Sequence, residues 1–132
     1  IYLDDLASGI EVTDNVITDC PSGILVGGGR YNKVNRNKIR NCPKASIMYD
    51  ARGLGWASFF VSDPENIMWE RYDETPLTLA PWKDRFPWLI KLRDDDPAYP
   101  KQVEILDNDI FHSALPDIHP TVKEFGKVQF QD

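Results

Sequence analysis

With 132 residues and 42% hydrophobic content, the chain falls in the size range of one domain and carries enough apolar material for a core. Fifteen Lys and Arg against twenty-one Asp and Glu leave a net charge of −6, which excludes the broad positive field that gathers nucleic-acid phosphates. No run reaches the ~18 apolar residues of a membrane span, so membrane insertion is not expected.

In chain order, the first predicted strand is Ile1-Tyr2-Leu3, closed by Asp4-Asp5. The chain ends in another strand-like run, Val128-Gln129-Phe130, so it is expected to be a segment of a longer protein. The run from Ile10 to Cys20 can be written above the run from Asn32 to Cys42. Val12 and Val34, Asn15 and Asn37, Ile17 and Ile39, and Cys20 and Cys42 each recur after 22 residues. A third copy runs from Val103 to Ser113, where Ile105, Asn108 and Ile110 hold the same places. This period is too short for the common two-helix repeats, and the segments are rich in Val, Ile and Asn rather than helix formers. No Leu-x-x-Leu-x-Leu frame recurs, which sets aside a leucine-rich repeat.

The expected class is therefore all-β: a parallel β-solenoid of about 22 residues per coil, its short strands stacked at about 4.8 Å. Asn15 and Asn37 should stack at an inward turn and hydrogen-bond along the ladder. Cys20 and Cys42 should stack as buried thiols, with a disulfide between them as the open alternative. The coils are expected to span 1–56 and the return coil and tail 103–132, with a mostly helical or irregular excursion over 57–102. In the excursion Asp63-Pro64-Glu65 reads as a helix start, with Asp63 as N-cap, leading to Tyr72. A second short helix is expected from Pro87 through Leu92, ending near Asp94-Asp95-Asp96.

Three strands, Ile1–Asp5, Ile24–Gly28 and Ile47–Ala51, also read as copies. Asp4, Gly27 and Asp50 then share one ladder. Two strand spacings separate Asp4 from Asp50 by about 9.6 Å, and inverting glycosidases hold their carboxyls about 6.5–9.5 Å apart. Asp4, Asp50 and Arg52 are accordingly the candidate catalytic residues. Asp5, Arg30, Trp56 and Trp69 are the candidate substrate-binding residues, since arginine grips carboxylates in bidentate fashion and indole rings pack against sugar C–H faces. The competing reading makes the same aspartates turn residues and the tryptophans packing for the excursion. His112 and His119 are isolated and carry no assignment. No cofactor is required, with calcium at Asp4 and Asp5 left open.

The Asn-x-Ile/Val pattern at 22-residue spacing, together with Ser22-Gly23-Ile24-Leu25-Val26, resembles the right-handed parallel β-helix proteins of the pectate-lyase-like superfamily. Ile1-Tyr2-Leu3-Asp4-Asp5, Gly27-Gly28-Gly29-Arg30 and Asp50-Ala51-Arg52-Gly53-Leu54-Gly55-Trp56 look like a largely uncharacterised bacterial branch of that group. The likeness covers roughly 1–56 and 103–113. It implies a secreted or periplasmic, carbohydrate-active protein that binds a polysaccharide, with cleavage as a glycoside hydrolase or polysaccharide lyase left open. The alternative is a non-catalytic structural or adhesive module. No residues here map onto the calcium aspartates and catalytic arginine of pectate lyases or the paired aspartates of polygalacturonases, so no catalytic role carries over. Open strand ends also point to self-association as a partner mode.

Overall fold

The computed structural model describes residues 1–131. Short strands carry the chain through three parallel sheets. The first holds β1 (Tyr2–Leu3), β4 (Ser22–Gly27), β7 (Ala45–Asp50) and β10 (Asp117–Ile118), in that order. The second holds β2 (Glu11–Thr13), β5 (Lys33–Asn35), β8 (Glu104–Leu106) and β11 (Lys127–Val128). The third holds β3 (Val16–Thr18), β6 (Lys38–Arg40) and β9 (Asp109–Phe111).

Register follows the apolar pattern of the sequence. Val12 lies opposite Val34, which lies opposite Ile105, and Ile17, Ile39 and Ile110 line up in the same way. Ile24 faces Ile47 and Val26 faces Tyr49. Ile24, Val26, Val34, Ile39, Ile47, Tyr49 and Ile105 are fully shielded, so the core lies where the three sheets converge. A one-residue slip in any pair would turn these side chains outward, which is why the apolar pattern fixes the register.

Asparagine holds one corner. Asn15 donates from its backbone N–H and from Nδ2 to Asn37 Oδ1 at 3.1 and 3.0 Å, and Asn37 repeats both bonds to Asn108 Oδ1 at 3.0 Å each. The neighbouring corners take left-handed backbone: φ is 59° at Asp14, 54° at Arg36 and 57° at Asp107, then 56° at Asp19, 53° at Asn41 and 47° at His112. Asp, Asn and His are the side-chain-bearing residues most often found in this region, whereas Arg36 adopts it at a cost of about 1–2 kcal/mol. Cys20 and Cys42 are free thiols, Cys42 buried and Cys20 partly exposed, each directed to the carbonyl two residues before it.

Helix makes up 24% of the chain and strand 27%, so the expected all-β, right-handed parallel β-helix class is corrected: the molecule is a small α/β domain with three parallel sheets, not a β-solenoid. The strands are only two to six residues long, and the chain between β7 and β8 is built of helix and turn. The 22-residue rhythm fixes the register of the short strands, and the non-repeating chain between β7 and β8 carries most of the helix.

That helical region contains a 3₁₀ turn at Arg52–Leu54, α1 (Phe59–Ser62), α2 (Ile67–Glu74), α3 (Trp82–Arg85) and a 3₁₀ helix at Pro87–Asp94. The helix expected to start at Asp63 starts instead at Ile67, capped by Asn66, whose Oδ1 accepts the Met68 N–H at 2.9 Å. Asp63 closes α1 and its Oδ1 accepts the Glu65 N–H, a local turn that competes with a cap. The segment expected from Pro87 is helical, but of the 3₁₀ type. After β10 the chain forms α4 (Pro120–Glu124), with His119 Nδ1 accepting the Thr121 N–H.

Candidate functional site

The first sheet brings Asp4, Gly27 and Asp50 side by side, since Leu3 pairs with Val26 and Gly27 with Asp50. Over the glycine lies the side chain of Arg52, delivered by the 3₁₀ turn that follows β7. A Cβ on residue 27 would stand 2.2 Å from Arg52 Cζ, so only glycine leaves room for the guanidinium.

Arg52 is shielded and its donors are heavily used. Nε reaches both Asp50 carboxylate oxygens at 3.1 Å, and Nη2 reaches Oδ2 at 2.9 Å. Nη1 reaches Asp4 Oδ1 at 2.7 Å, Tyr2 Oη at 3.2 Å and Asp5 Oδ1 at 3.3 Å. The bond to Asp50 leads in raising the Arg52 pKa above its usual value, with Tyr2 adding to it. Asp4 is held below the usual carboxylate range, first by its hydrogen bond with Tyr2, then by the Asp5 N–H and by Arg52. Asp4 is thus ionised at neutral pH, and as an inverting pair Asp4 and Asp50 would need mutual repulsion to keep a proton on one of them. A cation stands between them and removes the repulsion.

The same guanidinium faces two rings, with Cζ 5.3 Å from the Trp56 centroid and 5.8 Å from that of Tyr2. Trp56 is nonetheless 67% exposed and Tyr2 55% exposed. The patch therefore offers a fixed indole and a fixed phenol beside the half-exposed carboxylates of Asp4 and Asp5. Sequence reading missed Tyr2. The signal was present, because residues two apart on a strand share a face, which sets Tyr2 beside Asp4.

Five of the seven candidates meet here: Asp4, Asp5, Asp50, Arg52 and Trp56. Arg30 does not. It is 2% exposed and ties the helical region to the sheets, donating to Asp95 Oδ2 at 2.9 Å and to the carbonyls of Asp96 and Tyr99 at 2.5 and 3.1 Å. Its expected role in gripping a substrate carboxylate is replaced by this internal one. Trp69 is also withdrawn: it is buried in α2, donates from Nε1 to Val61 O at 3.1 Å, packs edge-on against Tyr72 and lies under the Arg93 guanidinium.

Calcium between Asp4, Asp5 and Asp50 does not fit, since the Arg52 guanidinium takes that space. Among the described residues no group of three or more His, Cys, Asp or Glu is placed to hold a metal ion. No helix among them is long and apolar enough to cross a membrane. Comparison with protein-family models, with curated proteins and with solved structures finds no match, so the secreted and carbohydrate-active character implied by the resemblance gains no support from known proteins.

Proposed function

We propose that the chain binds a neutral polysaccharide, without cleaving it, on the patch formed by Tyr2, Asp4, Asp5, Arg52 and Trp56. The observation that carries this reading is the exposure of Trp56: its indole is held against a buried guanidinium yet stays 67% open to solvent. A tryptophan retained for packing is shielded, as Trp69 is at 5%. An exposed, immobilised ring offers a sugar C–H face a platform with little entropy left to lose.

Polar chemistry supplies orientation. The free lone pairs of Asp4 and Asp5 accept hydroxyl protons, and hydrogen bonds from Arg52 Nη1 hold both carboxylates in place. Because Arg52 already spends its donors on three aspartates and Tyr2, it has little left for a uronate. Neutral glycans are favoured over acidic ones, in keeping with the acidic surface. The same saturation argues for binding rather than hydrolysis, which needs one protonated carboxyl beside an ionised one.

The test is calorimetric titration against a panel of neutral and uronate-containing oligosaccharides. At least one neutral glycan should bind with a Kd below about 1 mM, which corresponds to about −4 kcal/mol, and Trp56→Ala should weaken it at least about tenfold. Equal affinity in Trp56→Ala, or a consistent preference for uronates, would remove this reading. Release of reducing ends or of unsaturated products would restore a catalytic one.

A further inference from the structure

A pocket of about 290 Å³ lies on the outer side of the second sheet, lined by none of the residues of the Trp56 patch. Its walls come from two rows of equivalent positions. Lys33, Glu104 and Lys127 stand opposite one another in β5, β8 and β11. Two residues earlier in each case come Tyr31, Gln102 and Phe125, joined by the Tyr31 N–H on Lys101 O at 3.0 Å and the Gln102 N–H on Phe125 O at 2.8 Å.

Tyr31 and Phe125 are thus two strand spacings apart, about 9.6 Å, with Gln102 between them in the row. A planar ring needs about 3.5–4.0 Å to the carbons on each of its faces, so that gap admits one ring. Both flanking aromatics are braced. Tyr31 lies nearly parallel to Trp88 with centroids 4.7 Å apart, and Phe125 meets Tyr99 edge-on at 5.8 Å. Tyr31 also holds a φ of 56°, a conformation that bulky side chains rarely adopt and that gathers at binding sites.

The second row is charged, and part of its charge is unspent. Lys33 is paired with Glu11 at 3.1 Å. Glu104 Oε1 accepts the Asn35 amide, but among the described residues Glu104 Oε2 and Lys127 Nζ have no partner. Lys101, 5.8 Å over the Phe125 ring, is bound by Asp95 and Asp96, so its charge is not offered to a ligand.

We propose that this pocket binds a free aromatic α-amino acid, its ring between Tyr31 and Phe125, its ammonium on Glu104 Oε2 and its carboxylate on Lys127 Nζ. The rows lie two residues apart, about 6.6 Å along the strands, in keeping with the reach from an aromatic ring to the groups on its α-carbon. Glu104 and Lys127 are neighbours in register at one strand spacing, about 4.8 Å, so their opposite charges sit side by side as those of a zwitterion do. The two unspent charges sum to zero, which favours a zwitterion over a nucleotide or a simple aromatic acid. The Gln102 side-chain amide has no partner among the described residues and offers both a donor and an acceptor to a phenol or indole edge.

Isothermal titration of the whole chain with L-phenylalanine should give saturable binding with a Kd below about 1 mM. Hydrocinnamate, which lacks the ammonium, phenethylamine, which lacks the carboxylate, and L-alanine, which lacks the ring, should each bind at least about tenfold more weakly. Lys127→Gln and Glu104→Gln should each weaken L-phenylalanine at least about tenfold at an unchanged melting temperature, since Lys127 is exposed and glutamine at 104 keeps an amide oxygen for Asn35. Trp56→Ala should leave this affinity unchanged, which separates the pocket from the glycan patch. Absence of saturation up to about 10 mM, or hydrocinnamate binding as tightly as L-phenylalanine, overturns the inference. Adenosine monophosphate binding more tightly than L-phenylalanine also overturns it, by giving the pocket to a nucleotide.

Discussion

Gly27→Ala tests whether Arg52 organises the patch. The added methyl would lie 2.2 Å from Arg52 Cζ and 2.6 Å from Nε, and these atoms end a flexible side chain, so the guanidinium swings out rather than the backbone moving. Arg52→Ala removes the same contacts outright. The Arg52 side chain is 7% exposed while its partners are 32% to 57% exposed, so two of its pairs resemble surface bridges worth about 0–1 kcal/mol each. The bidentate grip on Asp50 adds charge-assisted bonds worth about 1.5–3 kcal/mol. Arg52→Ala should therefore cost about 2–4 kcal/mol, and Gly27→Ala about 1–2, because a displaced arginine is resolvated instead of deleted. The double variant should be no less stable than Arg52→Ala alone, a coupling of about 1 kcal/mol or more, since the three atoms nearest the methyl all belong to the Arg52 guanidinium. Urea unfolding of the four proteins measures this. Additivity within about 0.3 kcal/mol would refute the claim that Gly27 is there for the guanidinium.

Three further outcomes are expected. Asp4, Asp14, Asp95 and Asp109 are all held below the ordinary aspartate range, led respectively by hydrogen bonds to Tyr2, Arg36, Lys101 and Arg40. A depressed carboxyl stabilises the fold above its unfolded pKa of about 3.9 and loses that contribution as pH falls through its folded value. Urea midpoints should hold from pH 7 to about 5 and fall below about 4; a midpoint flat to pH 3 contradicts this. Asn37→Leu should destabilise by roughly 1–3 kcal/mol, because it strands the Asn15 and Val12 partners that Asn37 satisfies, and a neutral thermal melt would refute the ladder's role. Arg30→Ala cuts the bonds to Asp95, Asp96 and Tyr99, so limited proteolysis should reach the 57–102 region several-fold faster; unchanged cleavage would mean that the packing of Tyr31 on Trp88 holds that region alone.

What the sequence revealed was set by which interactions repeat. Strand pairing acts between equivalent positions, so Val12 over Val34 and Asn15 over Asn37 left a written period, and the parallel registers could be read from it. Fold class depends also on segments with no period. Between β7 and β8 the chain is held by single contacts such as Tyr72 Oη on Leu89 O and Trp69 Nε1 on Val61 O, and these leave no pattern to read. The helical share was underestimated for that reason, and Asp63, a good cap by type, lost to Asn66 through a turn of its own.

The patch divides along the same line. Asp4, Gly27 and Asp50 were aligned from their strands, and strand register put them together. Arg30 and Arg52 each follow a strand, yet their side chains run to different partners. Arg30 meets Asp95 because the helical region folds back over it, whereas Arg52 finds a notch only glycine can leave. A repeat therefore states where backbones stack, and a long side chain is decided by what the non-repeating chain brings near it. By this logic Tyr2, two residues from Asp4 on the exposed face of an edge strand, belongs to the patch through the repeat itself, while Trp56 joins it through the turn after β7. Replacing Tyr2 by Phe should then raise the Asp4 pKa toward its ordinary value, since the phenol is the leading cause of its depression. Carboxyl titration by NMR measures that shift directly. An Asp4 that titrates the same in Tyr2→Phe and in the parent would show that Arg52 alone fixes its charge.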